Sequence, residues 1–327
     1  MKFSTFIIFN PSSASSPATC CCCIAQQLIR WTSMITIIAF ILLQSQAEPA
    51  AVTKKPKSQQ ERSNRNKIKQ YFKNCGLSSS PDNSHRLRII GGREASRGSW
   101  PWQVALLNHH SIPYCGGTII TPQFVLTAAH CVRRNLYIRA GEHDLTSDEG
   151  SEQDVKVAAI YIHPNYSRET VDSDVALLHL ATPLKMNKYV SHACLPSKRD
   201  NMPINTLGTI LGWGKRKNSA IFGTDKLHQA KVPIANITEC RSVYEDYYIS
   251  NNMICAGFPS GRIDSCAGDS GGPLLVQRKK EKKTRWAVYG ITSFGEGCGR
   301  KGKYGIYVKV PNFVKWIRRT IYKYARF

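Results

Sequence analysis

From Trp100 onward, short runs rich in β-branched and aromatic residues alternate with clusters of turn-forming residues. The runs cover residues 103–107, 117–120, 124–126, 155–162, 176–180, 209–213, 273–276, 285–293 and 305–310. That density of short strands predicts an all-β architecture in which sheets curl into barrels. The tail is the exception. There Phe313, Trp316, Ile317, Thr320, Ile321 and Tyr324 recur at helical spacing, while Lys315, Arg318, Arg319 and Lys323 fall elsewhere. This predicts an amphipathic C-terminal α-helix docked on the sheets.

Ahead of this region the composition changes. Residues 34–43 form an apolar core behind Arg30, followed by Ser45-Gln46-Ala47, a small-x-small pattern. Residues 1–47 therefore read as a leader, a secretory signal peptide released near Glu48. The 33 residues before that core make an overlong n-region, so a start at Met34, or 1–33 as untranslated sequence, stays open. The rival is a membrane anchor with Cys20, Cys21, Cys22 and Cys23 as acylation sites. The apolar run from Trp31 to Leu43 has only 13 residues, against roughly 20 needed to span a bilayer. Residues 48–88 are rich in Lys, Arg, Ser, Asn and Gln, and are expected to form a flexible basic propeptide unable to fold alone.

The net charge is +23, of which +14 falls in 89–327 and +7 in 48–88. Such a surplus should draw polyanions such as sulfated glycans, anionic membrane surfaces or acidic substrates. Nucleic acid is not expected as a functional partner. Outside the Cys20–Cys23 cluster eight cysteines remain, an even number suited to an oxidising compartment. Their spacing alone leaves ~105 pairings open. No CxxC or Cys/His spacing among them favours a metal.

The chemistry concentrates in Gly268-Asp269-Ser270-Gly271-Gly272-Pro273. By average composition a chain of this length holds that hexapeptide by chance with a probability on the order of one in ten thousand or lower. A lone serine is a poor nucleophile. It needs an imidazole to take its proton and a carboxylate to fix the imidazole's tautomer. His130 in Thr127-Ala128-Ala129-His130-Cys131 and Asp174 in Asp174-Val175-Ala176-Leu177-Leu178 offer both. Taken singly, the histidine reads equally as a core residue and the aspartate as the start of a strand. In the order His, Asp, Ser, the three settings resemble the trypsin/chymotrypsin family of secreted serine proteases, over residues 89–327.

The resemblance implies two packed antiparallel β-barrels with a C-terminal α-helix, and a catalytic triad of His130, Asp174 and Ser270. It implies an oxyanion hole from the Gly268 and Ser270 amides, with Ser293 as an extra donor to Asp174. Asp264 would lie at the base of the primary pocket, where a carboxylate without a protein cation pairs with substrate Arg or Lys. Ser265 would add a hydroxyl there, Gly295 and Gly305 an open wall, and Phe294 the aromatic platform where the family usually has tryptophan. The implied disulfides are Cys75–Cys194, Cys115–Cys131, Cys240–Cys255 and Cys266–Cys298. Cleavage after Arg88 would free the Ile89 amine to pair with Asp269 and shape the oxyanion loop, so the uncut chain is expected to be inactive.

The same resemblance implies a structural Ca2+ held by Glu142, Asp144, Glu149 and Glu152 with the carbonyls of Asp144 and Ser147. Tyr304 stands where pancreatic trypsins have proline, a change that accompanies sodium binding in related proteases, although Arg300, Lys301 and Lys303 crowd that loop. Two basic stretches, 215–217 and 278–285, are candidates for polyanion capture, the second as a protruding hairpin. Asn165 and Asn236 head glycosylation sequons. Protein substrates with Arg or Lys at the cut bond and protein protease inhibitors are the expected partners. The competing class is a catalytically weak relative that uses its basic surface to bind polyanions.

Overall fold

In the computed structural model the described residues are 57–78, 92–198, 200–215, 219–261, 264–280 and 283–325. The leader and the Arg88-Ile89 bond lie outside them. None of the described helices is long and apolar enough to cross a membrane. Two antiparallel β-systems make up the structure. In the first, β2 (Gln103–Leu107), β3 (Pro113–Thr121), β4 (Phe124–Thr127), β7 (Ala176–Leu180), β6 (Gln153–Ile162) and β5 (Tyr137–Ala140) close into a barrel in that order.

Seven strands form the second sheet in the order β1 (Arg93–Glu94), β9 (His228–Pro233), β8 (Leu207–Gly212), β11 (Pro273–Lys280), β12 (Lys283–Phe294), β13 (Gly305–Lys309) and β10 (Met253–Ala256). A single bridge between Ile234 and Ala256 ties the end of β9 to the end of β10, so this sheet curls into a barrel-like form. The expected pair of barrels is thus one closed ladder and one sheet drawn round by a single bridge. Strands β1, β5, β9 and β10 had no counterpart among the sequence runs. β5 alternates half-buried and buried residues over only four positions, too short for a clear period.

Hydrophobic burial holds these layers together. Val104, Leu106, Ile119, Val125, Leu126 and Leu178 are all fully buried. At the seam of the two systems the rings of Trp100 and Trp286 meet edge to face at 4.6 Å, and Trp100 Nε1 donates to Gln229 Oε1. The tail folds as expected into a helix, Val310–Tyr324, with Pro311 in its first turn. Its Phe313, Val314, Ile317, Thr320 and Ile321 are buried, and Lys315, Arg318, Arg319 and Lys323 are exposed.

Residues 57–78 correct the expectation of a flexible propeptide. They hold a 17-residue helix, α1 (Lys57–Lys73), followed by a short extended stretch. The polar composition correctly implied that this segment has little core of its own. What it underweighted is a borrowed core: Ile68 is 1% exposed, and Phe72 packs beside Tyr322 of the tail helix. The Cys75–Cys194 disulfide fastens the end, Gly76 N donates to the His192 carbonyl at 2.8 Å, and Trp286 N donates to the Gly76 carbonyl at 2.9 Å. Gly76 has φ +70°, and a Cβ there would meet the Trp286 carbonyl at 2.4 Å, so only glycine fits.

Candidate active site

Each system delivers one half of the site. His130 lies in the 3₁₀ turn Ala129–Cys131 just after β4, and Asp174 lies just before β7. The β4–β7 ladder pairs Thr127 with Ala176, which holds both residues at one end of the barrel. Ser270 comes from the other system, in the loop that enters β11. The seam is locked there by a hydrogen bond of 2.7 Å from Gly116 N on β3 to the Ser270 carbonyl. Gly271 at φ +78° makes the turn possible, since a Cβ would strike Thr127 Oγ1 at 2.3 Å.

Asp174 is 0% exposed, and its charge is met by three donors. Oδ1 accepts the His130 amide at 2.9 Å, and Oδ2 accepts His130 Nδ1 at 2.7 Å and Ser293 Oγ at 2.5 Å. A carboxylate accepts only, so Nδ1 carries a proton and the Nε2 lone pair is left free to act as a base. Among the described residues no hydrogen bond joins Ser270 Oγ to His130 Nε2, which lies instead 3.7 Å from Cys131 Sγ. Catalytic contacts of this type tighten as substrate arrives. Neither the Gly268 nor the Ser270 amide has an internal acceptor among the described residues, and Gly268 sits at φ +104°.

Asp264 and Asp269 line one cavity of about 70 Å³ together with Gly92, Gly214, Cys298 and Gly299. Asp264 accepts from Ser265 N at 2.8 Å and Gly299 N at 3.4 Å. Asp269 accepts from Cys266 N and Gly214 N, both at 2.8 Å. Among the described residues neither carboxylate pairs with a cation. Desolvation therefore dominates over the backbone donors, raising the Asp264 carboxyl to about 7 and that of Asp269 to about 6.

At Gly305 a Cβ would meet Asp264 Oδ1 at 2.5 Å and the Tyr307 hydroxyl at 2.9 Å, so the missing side chain leaves room around the Asp264 carboxylate. Gly295 is exposed, with nothing closer than 3.7 Å to such a Cβ. Sequence reasoning missed Tyr307, whose buried hydroxyl lies 3.1 Å from Ser265 Oγ. It also missed Tyr247, stacked on Phe294 with centroids 6.0 Å apart. Tyr247 comes from a distant stretch with no local motif, and Tyr307, two residues after Gly305, reads in the sequence only as part of a strand.

The accessory expectations fare unequally. All four disulfides form as the resemblance implied. Glu142, Glu149 and Glu152 bring carboxylate oxygens within 4.8 Å of one another, and Glu152 Oε2 is buried without a hydrogen-bond partner. The Asp144 carboxylate is not among them. Its short side chain is captured by the Thr146 amide at 3.1 Å and hydroxyl at 2.7 Å, which removes it from the expected ligand set. Arg97 holds Glu149 at 3.0 Å and Arg139 holds Glu142 at 3.4 Å. Tyr304 is buried and donates to Glu239 Oε1, while Glu296 pairs with both Arg300 and Lys303.

Asn165 is exposed, whereas Asn236 caps the helix Ile237–Ser242 by accepting the Thr238 amide at 2.9 Å. The basic hairpin also needs correction. Arg285 is only 7% exposed and donates to the Lys73 and Cys75 carbonyls at 2.9 and 2.8 Å, so it staples the α1 segment to β12 and is unavailable to a ligand. Arg278 turns its guanidinium onto Tyr289. Of the stretch 215–217 only Lys215 is described.

The sequence profile of the trypsin family matches residues 89–317. The chain is 39% identical over 261 residues to an ovochymase of Halocynthia roretzi, covering 76% of this chain and 16% of that protein. It is also 39% identical over 244 residues to vitamin K-dependent protein C of Oryctolagus cuniculus, covering 72% of this chain and 52% of that protein. This chain belongs to the trypsin family of serine proteases. It spans about a sixth and about half of the lengths of these two relatives.

Proposed function

We propose that this chain is a secreted serine endopeptidase that is activated by cleavage after Arg88 and cuts peptide bonds after Arg or Lys. The observation that carries the reading is the imidazole of His130, held through Nδ1 by Asp174 at 2.7 Å, at the seam that also presents Ser270. In the reaction Ser270 Oγ attacks the carbonyl carbon as its proton passes to His130 Nε2. The oxyanion is received by the Gly268 and Ser270 amides. His130 then gives the proton to the leaving amine, and water releases the acyl group by the same path.

Specificity rests on Asp264, a desolvated carboxylate with no described cation nearby, which a substrate guanidinium or ammonium would complete. Activation rests on reach. Gly92 lines the cavity that holds Asp269, and the three residues from Ile89 to Gly92 span at most about 10 Å. A freed Ile89 amine entering that cavity would supply the missing cation. The test is a cleaved-peptide profile of the protein activated at Arg88, with Ser270→Ala as control. Arg and Lys at the cut bond are expected, and cleavage after aromatic or small residues would overturn the pocket assignment.

Export to an oxidising compartment is supported by the four disulfides. Glycans on Asn165 and Asn236 belong to the same reading. Glu142, Glu149 and Glu152, with the Asp144 and Ser147 carbonyls, would hold a Ca2+ that supplies hard positive charge to three converging carboxylates. The orphaned Glu152 oxygen fits that role. Ca2+ should raise the melting temperature relative to chelator, and Glu152→Gln should abolish the difference. No change with the ion would remove the site.

A further inference from the structure

We propose that the cleft between α1 and the C-terminal helix is a docking site for a linear sulfated glycan, separate from the catalytic seam. The cleft measures about 520 Å³ and is lined by Arg65 and Lys69 from one helix and Arg319, Tyr322 and Lys323 from the other. Four cations thus face each other across a concave surface with one hydroxyl and no carboxylate. All four are exposed, and none has an ion pair among the described residues.

Some cations elsewhere on the molecule are neutralised: Arg97, Arg139, Lys226, Arg300 and Lys303 each have a carboxylate partner. The two helices of the cleft hold one acid between them, Glu61 on α1, and it forms no ion pair with the cleft cations among the described residues. Like charges so placed repel one another, and a bound polyanion relieves the repulsion.

The spacing suits a rod. Arg62, Arg65 and Lys69 stand at i, i+3 and i+7, and Lys315, Arg319 and Lys323 at i, i+4 and i+8, so each helix carries a row of cations along one flank. Each row runs about 10–12 Å. Two rows flanking a concave floor fit a narrow extended polyanion better than a flat bilayer, and the apolar part of the lining comes from Tyr322 and the alkyl stems of the four cations. The site also depends on the disulfide, because Cys75–Cys194 fastens the segment that contributes half of its charge. The choice of a sulfated glycan rests on the extracellular reading above.

Binding of a size-defined heparin oligosaccharide to the full chain carrying Ser270→Ala tests the site without any proteolysis, so its result is independent of the enzymatic reading. Replacing Arg65, Lys69, Arg319 and Lys323 together by alanine should weaken binding about tenfold or more and flatten its salt dependence. Replacing Lys279, Lys280, Lys282 and Lys283 by serine should leave binding unchanged. Bound oligosaccharide should shield the Lys69 and Lys323 amines from acylation in the unmutated cleft, a readout that needs no variant to fold. Unchanged affinity in the cleft variant, or no shielding, would overturn the proposal. So would capture of phosphatidylserine vesicles without the soluble oligosaccharide, which would mark the cleft as a membrane contact.

Discussion

Asp174 is fully buried and Asp264 half-buried, and the molecule treats the two acids in opposite ways. Asp174 is met from within by an imidazole, an amide and a hydroxyl, at 2.7, 2.9 and 2.5 Å. Asp264 receives two backbone amides, at 2.8 and 3.4 Å, and its carboxyl rises to about 7. A carboxylate satisfied internally orients its neighbours. One left short of a cation stores an unfavourable desolvation that a positively charged ligand can relieve. Under the proposed function, the contrast separates the part of the site that would perform chemistry from the part that would choose the substrate.

Substitution at the first acid should have the largest effect. Asp174→Asn places an amide donor against Nδ1 and favours the tautomer whose Nε2 is protonated, so kcat should fall about 10⁴-fold with little change in stability. A loss below about tenfold would break the comparison, because it would mean the internal donors do not set the imidazole. At the second acid, Asp264→Asn should lower kcat/KM for Arg and Lys substrates by roughly 10²- to 10⁴-fold while leaving the triad intact. An active-site acylating reagent with no cationic group should then still react with Ser270 in the variant at close to the original rate.

Asp264 also carries a signature in stability. Its folded-state carboxyl titrates near 7, above the ordinary value of roughly 3.9 expected when unfolded. The folded state thus binds the proton more tightly, and its contribution to stability is present below about pH 4 and lost as pH rises towards 7. Asp264→Asn removes that loss. The melting temperature of the variant should exceed that of the original chain at pH 8, and the advantage should vanish by about pH 4.

These acids also show how far the sequence could be read. His130, Asp174 and Ser270 sit in local settings that identify themselves, and the four disulfides followed from the resemblance those settings carried. The tail helix was legible because its apolar residues keep one period over more than three turns. Strand β10 and helix α1 were not. β10 spans four residues, and α1 is a polar helix whose burial depends on Phe72 meeting Tyr322, a partner 250 positions away. Gly305 was placed at the pocket by the resemblance alone, since its closeness to Asp264 is a fact of packing that no local pattern records.

The pH dependence of ligand binding sharpens the comparison further. A cationic inhibitor such as benzamidine needs Asp264 ionised, so its affinity should fall about tenfold per unit as pH drops below 7, with proton release on binding. A neutral ligand of similar shape should show no such slope. Flat affinity for the cation between pH 5 and 8 would mean that Asp264 is already ionised there, and the contrast with Asp174 would narrow to geometry alone.

Ser293 offers the smallest and most selective break. Among the described residues its hydroxyl is the one donor to Asp174 that does not belong to His130. Ser293→Ala removes that hydrogen bond while leaving the imidazole contact in place, at a cost of order one charge-assisted bond, or about tenfold in kcat. A raised KM with kcat unchanged would place Ser293 with the substrate chain and not with the acid. An unchanged kcat and KM would show that two donors from a single histidine are enough to hold a buried carboxylate in place.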